Sequence, residues 1–323
     1  MGKTLVAVAD SPFPNLNPAK AVLSGLDAEM VIADEPTLEG ILKVAGQADG
    51  LMVTYGQITA EVIKGLEKCK VIGRFGLGVD NIDIDAATES GIAVVYVPDY
   101  CIDEVSDHAM AMLLNLARKV SFSNSLVQAG RWEMPAVTPL SRLRGRTLGL
   151  AGLGQIPRAV APKAQAFGFK VIAYDPYVDK DLATALDVEL VDLDTLLETS
   201  DYVSVHVPMM PETEKMFGAD AFKKMKPDAL LVNTARGPLV DTDALAEALD
   251  AGEIGGAALD VMPVEPPGTD HPLLGRDNVI LTPHTGFYSI EALEELQTKT
   301  ARGVVDVLQG KKPVYPINPE VLE

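Results

Sequence analysis

The sequence predicts an α/β protein built on parallel sheets, and three observations carry that prediction. Short apolar runs alternate with helical patterns over nearly all of the 323 residues, the pattern of strands covered by helices on both faces. The runs fall into two series, each long enough for a domain of ordinary size. The second series opens on a strand that leads at once into a Gly-x-Gly turn and a helix, as in a doubly wound nucleotide-binding unit.

The elements follow in order. Residues 5–9, 50–55, 71–74 and 92–97 read as strands, and their lack of alternation suits burial on both faces. A helix is expected over 103–119, where Val105, Ala109, Met112, Leu113, Leu116 and Val120 recur at helical spacing. Asp103 is its expected N-cap, and Arg118 and Lys119 suit the negative end of its dipole. Residues 128–145, rich in Pro, Arg and Gly, hold the only tryptophan, Trp132, and read as a surface connection. The second series comprises 147–151, 170–175, 202–207, 229–234, 257–261 and 279–282. A last helix, 290–308, ends at Gly310 as the chain returns to the first region.

Bulk properties exclude several classes. A net charge of −19 repels phosphate backbones and argues against nucleic acid as a partner. No apolar run is long enough to span a membrane, and the first ten residues read as a buried strand rather than a secretory signal. Two cysteines, Cys69 and Cys101, make no disulfide framework, so a reducing cytoplasm is expected. The four histidines, His108, His206, His271 and His284, lack metal-ligand spacing, and no metal site is expected.

The turn after 147–151 carries Gly152 and Gly154, and its helix opens with Gln155 and Ile156. Gly152 permits the tight turn, and Gly154 lets the backbone approach a pyrophosphate held at the helix N-terminus. Asp175 lies 21 residues past Gly154 at the tip of the next strand. A carboxylate there accepts both ribose hydroxyls and repels a 2′-phosphate, so NAD is expected over NADP. The third glycine of the fingerprint is replaced by Pro157, which the first helical turn tolerates. Pro162 lies deeper and is expected to kink the helix.

Three further residues sit at strand ends of this same region. Arg236 lies in Asn233-Thr234-Ala235-Arg236-Gly237, Glu265 in Asp260-Val261-Met262-Pro263-Val264-Glu265-Pro266, and His284 in Thr282-Pro283-His284-Thr285-Gly286. Reduction of a 2-oxo acid needs its carboxylate held, its carbonyl polarised and a proton delivered as hydride arrives. A guanidinium fork suits the first two needs. Histidine suits the third, and an adjacent carboxylate would orient the ring and favour its protonated form. Taken singly, Arg236 reads equally as a surface ion pair, His284 as a capping or core histidine, and Glu265 as a solvated loop residue.

These residues, in this order, resemble the D-2-hydroxyacid dehydrogenase family. Further matches are Gly73-Arg74-Phe75-Gly76-Leu77-Gly78-Val79-Asp80-Asn81-Ile82-Asp83, the helix 104–118, His206-Val207-Pro208 and the tail Ile317-Asn318-Pro319-Glu320-Val321-Leu322. The resemblance implies two Rossmann-like domains with the active site in the cleft between them. The substrate domain would be 1–100 completed by 291–323, and the NAD-binding domain 101–290. It implies that Arg236 binds substrate, that His284 is the acid/base and that Glu265 sets its pKa. Leu77 and Gly78 would hold the substrate carboxylate by their backbone. Val207, Thr213, Thr234, Ala235, Asp260 and Gly286 would line the cofactor with Arg236 and His284, Asp260 lying near the carboxamide. A homodimer through the NAD-binding domain is implied as well. At Leu77 the family often has Thr or Ser, so one polar contact is missing here.

Within the family, His284-Thr285-Gly286-Phe287-Tyr288-Ser289 is similar to the C-terminal-binding-protein branch, near the phosphoglycerate dehydrogenases. Phe287 is either a pocket wall favouring an apolar substrate group or packing under the last helix. Phosphoglycerate dehydrogenases commonly have an arginine in the loop aligned with Thr54-Tyr55-Gly56-Gln57, and none stands here. A buried phosphate needs such a cation, so a non-phosphorylated substrate is expected, with Tyr55, Gly56 and Gln57 against its tail. The alternative is an NAD(H)-regulated scaffold with little turnover. Such a scaffold would be expected to carry disordered extensions, and the sequence reads as folded nearly throughout. Formate-type oxidation is disfavoured by Glu265, where such relatives commonly have glutamine.

Overall fold

A computed structural model describes residues 3–323. The chain forms two compact units, residues 3–100 with 289–323 and residues 101–288. The first unit has five strands, β1 (Leu5–Val8), β2 (Glu29–Ile32), β3 (Gly50–Val53), β4 (Val71–Arg74) and β5 (Ala93–Val95). They pair in parallel in the order β2-β1-β3-β4-β5. Every residue of β3 is buried, as a strand covered on both faces requires. Strand β2 was missed although Met30-Val31-Ile32 is apolar; it is an edge strand with no fully buried residue.

The helix Ile290–Leu308 packs on β4 and β5. Its stripe of Leu293, Leu296, Ala301, Val304 and Val305 is buried at helical spacing. The tail then pins the edge strand. Asn318 is 1% exposed; its Oδ1 accepts from the Val94 amide at 2.7 Å, and its Nδ2 donates to the Ile92 carbonyl at 3.0 Å. The tail backbone adds to this, with the Ile317 amide donating to the Val94 carbonyl at 2.8 Å and the Tyr96 amide to the Tyr315 carbonyl at 3.3 Å, so the open edge of the sheet is covered.

The second unit has seven strands: β6 (Thr147–Ala151), β7 (Lys170–Tyr174), β8 (Glu189–Leu190), β9 (Tyr202–Val205), β10 (Leu230–Asn233), β11 (Gly256–Leu259) and β12 (Val279–Leu281). The order is β12-β11-β10-β9-β6-β7-β8, all parallel. The order reverses between β6 and β9, which makes their C-terminal ends the place where ligands collect. The helix Ile102–Arg118 packs on β10 and β11 through Ala109, Met112, Leu113 and Leu116.

Several expectations need correction. The N-cap of that helix is Cys101; Asp103 falls in the first turn, where its charge still complements the dipole. The helix stops at Lys119, whose φ is +52°, and a second helix follows over Val120–Gln128. It was not foreseen because only Leu126 of its nine residues is buried, leaving no apolar stripe to read. A short 3-10 turn, Met134–Val137, interrupts the surface segment that follows. The helix Gln155–Ala166 continues past Pro162, the position where a kink is expected. Among the described residues no helix is long and apolar enough to cross a membrane.

Candidate active site

The nucleotide turn is built by backbone geometry. Gly152 follows β6 with φ +98°, and a Cβ there would lie 2.9 Å from the His206 carbonyl oxygen beyond β9. Only glycine lets the two strand ends of the switch point approach this closely. A Cβ on Gly154 would meet nothing within 4 Å, so the turn borders open space. The helix that begins at Gln155, with Ile156 next, has no side-chain cap, and its first amides are donors for an anion. Pro157 is buried in that first turn, where its missing N–H leaves no bond unmade.

Asp175 stands just past β7. Its Oδ2 accepts from the Leu153 amide at 2.8 Å, and its Oδ1 from Tyr177 and Val178 at 2.9 and 3.1 Å. The carboxylate therefore fixes the glycine turn as well as offering lone pairs to a diol. Val207 is buried after β9. Thr234 is buried after β10, and its Oγ1 has no hydrogen-bond partner among the described residues. A buried hydroxyl without a partner is costly unless a ligand supplies one. Open space at the helix N-terminus, the turn and this hydroxyl together fit a dinucleotide. Thr213 is turned inward to its own loop, its Oγ1 2.7 Å from the Pro208 carbonyl and accepting from the Met210 amide at 2.9 Å.

The three chemical candidates follow three adjacent strands, Arg236 after β10, Glu265 after β11 and His284 after β12. Asn233 shapes the arginine turn, accepting from the Ala235 amide at 3.0 Å and donating to the Arg236 carbonyl at 2.8 Å. A Cβ on Gly237 would land on the Met262 backbone, so glycine alone lets the Arg236 turn lie against the turn that carries Glu265. Glu265 then accepts from the Met262 amide at 2.9 Å through Oε1, and its Oε2 lies 2.7 Å from His284 Nδ1. Burial pushes the Glu265 carboxyl up, but the hydrogen bond and charge of His284, with the Met262 amide, outweigh it and hold it below the usual carboxylate range.

His284 is held in the left-handed region, φ +53°, by the turn around it. Its amide donates to the Asp260 carbonyl at 2.8 Å. The Asp260 side chain is the hub of that turn. Oδ1 accepts from Thr282 Oγ1 at 2.6 Å and the Thr285 amide at 2.9 Å, and Oδ2 from the Gly286 amide at 2.8 Å. His108 Nε2 lies 3.3 Å from Oδ1. Burial raises the Asp260 carboxyl, and these donors together bring it below its ordinary value. Phe287 meets the His284 ring edge-on, with centroids 6.0 Å apart. His206 is no rival as proton donor. Burial pushes it down to about 3, which leaves it neutral beside Ser204 Oγ at 2.8 Å.

Residues 110–286 match the model of the "D-isomer specific 2-hydroxyacid dehydrogenase, NAD binding domain". The chain belongs to the D-isomer specific 2-hydroxyacid dehydrogenase family. It is 43% identical to the D-3-phosphoglycerate dehydrogenase of Methanocaldococcus jannaschii over 88% of this chain and 54% of that protein. It is 39% identical to the glyoxylate reductase of Thermofilum pendens over 89% of this chain and 86% of that protein. The Aquifex aeolicus D-lactate dehydrogenase, solved with NAD and lactic acid, superposes with a TM-score of 0.86 at 29% identity, covering 98% of this chain and 97% of that one. The chain spans about half the length of the phosphoglycerate dehydrogenases it matches. The span matched by the family, residues 110–286, includes the glycine turn that follows β6.

In the first unit, Tyr55, Gly56 and Gln57 lie just past β3, and Leu77 and Gly78 past β4. Tyr55 and Leu77 are exposed, while Gly56 is buried. Asn233, Gly237, Thr282 and His108 are the supports that sequence reading missed. Two of them, Asn233 and Gly237, flank Arg236 in the segment Asn233-Thr234-Ala235-Arg236-Gly237.

Proposed function

We propose that this chain is an NAD-dependent D-2-hydroxyacid dehydrogenase that works as a 2-oxo acid reductase. The observation that carries the reading is the 2.7 Å contact between His284 Nδ1 and Glu265 Oε2, on loops that follow β12 and β11 beside the arginine turn after β10. When bound, NADH supplies the hydride for C2 of the substrate. Arg236 holds the carboxylate and polarises the adjacent carbonyl. With Nδ1 held by Glu265, His284 Nε2 is the nitrogen that gives its proton to the carbonyl oxygen. The product is the 2-hydroxy acid, and oxidation runs the same proton backwards. Val207, Thr234, Ala235, Gly286 and Asp175 are assigned to the cofactor, and Gly152, Gly154, Gln155 and Ile156 to its pyrophosphate.

We assign contacts to the substrate tail to residues 3–100, and the cofactor contacts together with Arg236, His284 and Phe287 to residues 101–288. The substrate is proposed to be small and non-phosphorylated, because the loop Thr54-Tyr55-Gly56-Gln57 offers no cation for a phosphate. Phe287 beside the His284 ring supports an apolar substrate group. A cytoplasmic setting is part of the same reading. Homodimerisation through the second unit is supported by apolar side chains that lie bare on the helix Val120–Gln128 and beyond. Trp132 is 89% exposed and Met134 71%, a patch of the kind that marks a protein interface.

The test is NADH oxidation with glyoxylate, hydroxypyruvate, pyruvate, 2-oxoisocaproate, phenylpyruvate and 3-phosphohydroxypyruvate. Turnover of a non-phosphorylated acid that is lost in Arg236→Ala supports the reading. Turnover of the phosphorylated acid alone sinks the substrate assignment. Tight NADH binding with no turnover at all favours a scaffold.

A further inference from the structure

The order β2-β1-β3-β4-β5 reverses between β1 and β3, and at such a point the loops leaving the two strands splay apart. In this unit the protein fills that gap with its own anion. Asp10, two residues past β1, accepts three consecutive amides of the loop leaving β3. Oδ1 takes Thr54 at 3.0 Å and Gly56 at 3.1 Å, and Oδ2 takes Tyr55 at 2.8 Å. The same loop is gripped through its carbonyls. Asn81 Nδ2 donates to Gly56 at 2.8 Å and to Thr54 at 3.3 Å, and the Asn81 carbonyl accepts from Ile58 at 2.8 Å. Asn81 stands three residues past Gly78, so one side chain ties the segment 55–57 to the loop that carries 77–78. Gly56 makes room, since a Cβ there would already press on Asp10 Oδ1 at 3.2 Å.

We propose that Asp10 and Asn81 are positioning residues for substrate binding, a two-sided clamp that fixes how Tyr55 and Gln57 meet the tail of the 2-oxo acid. This rests on the reading above that the loop touches substrate. Consecutive amides pointing one way form an anion-binding nest. Asp10 occupies that nest, so the loop presents side chains rather than amides to the substrate, which suits an uncharged tail. Removing a carboxylate that satisfies three amides leaves those donors without charge-assisted bonds.

The experiment uses the full chain and the best 2-oxo acid of the panel, comparing wild type, Asp10→Asn, Asn81→Ala and the double variant. Amide hydrogen exchange over 54–58 is followed in each. The expected result is a rise of about tenfold or more in KM for the 2-oxo acid, with kcat and KM for NADH within about twofold. Exchange over 54–58 should speed up, and the double variant should fall short of the product of the two single effects, because both act on one loop. Unchanged exchange overturns the clamp. Faster exchange with unchanged KM for the acid leaves the clamp merely structural and overturns the positioning role. Equal rises in both KM values with a lower Tm mean general destabilisation and also overturn it. A wild type that reduces no acid sinks the proposed function instead, and exchange then decides the clamp alone.

Discussion

At the scale of single residues, the His284–Glu265 pair makes the sharpest predictions. His284→Ala should lower reductive kcat/KM by about 10²–10⁴-fold with NADH binding retained, read by steady-state rates and fluorescence titration. Glu265 holds the ring through Nδ1. Glu265→Gln keeps the size of the side chain and removes its charge, so it should lower reductive kcat while NADH binding is retained; a rate equal to wild type would deny Glu265 this role. The residue types of the site were legible because the chemistry demands them at strand ends. Their supports were not. Nothing in the order of residues says that His284 sits at φ +53° or that the Asp260 carboxylate gathers Thr282, Thr285 and Gly286 around it. Those contacts join positions some 25 residues apart and exist only once β11 and β12 are paired.

At the scale of elements, close approach and edge closure decide what can change. Gly237→Ala would drive a methyl into the Met262 backbone. We expect it to cost about 1–3 kcal/mol or more and to lower kcat, because the arginine and glutamate turns must part. Chemical denaturation alongside kinetics checks both; a variant as stable and active as wild type would refute the close packing. Asn318→Ala removes the side-chain pins and leaves the Val94 amide and Ile92 carbonyl unpaired while the tail's backbone bonds remain, at about 1–3 kcal/mol for each group left unsatisfied. Urea unfolding measures it, and a loss well below 1 kcal/mol would show that water replaces the side chain. Central strands such as β3, β4 and β6 were readable because burial on both faces gives uninterrupted apolar runs. The helix Val120–Gln128 was not, because it buries too little of itself to leave a pattern, and β2 was missed although Met30-Val31-Ile32 is apolar, its run being short and half-exposed at the sheet edge.

At the scale of the whole molecule, charge sets the response to pH and salt. Burial pushes the carboxyls of Asp201, Asp260 and Glu265 up, but donors outweigh it and hold all three below their ordinary values; for Asp201 these are the Thr147 amide, Lys226 and Arg146. A depressed folded pKa contributes stability above the unfolded value, about 4 for these groups. That contribution is lost as pH falls through the folded values. Tm should hold near neutrality and drop on acidification below about pH 5; a Tm flat down to pH 3 would contradict this. With a net charge of −19, self-repulsion weakens the folded state. Raising NaCl from about 0.01 to 0.15 M should therefore raise Tm, whereas a fall would mean that ion pairs dominate. The twofold alternation of strand series was visible in the sequence, because each parallel strand needs a crossover helix before the next. The tail that pins β5 has a last consequence, in the order of synthesis. The ribosome delivers β1 to β5 first, yet the helix and asparagine that complete their sheet emerge after residue 288. At about 5–20 residues per second, the intervening segment holds the nascent first sheet incomplete for about 10–40 s. The later-made middle of the chain is contiguous and can fold before it. A released fragment of residues 1–288 should be cut by protease within its first hundred residues and resist beyond them. The reverse pattern would show that β1 to β5 stand without their cover.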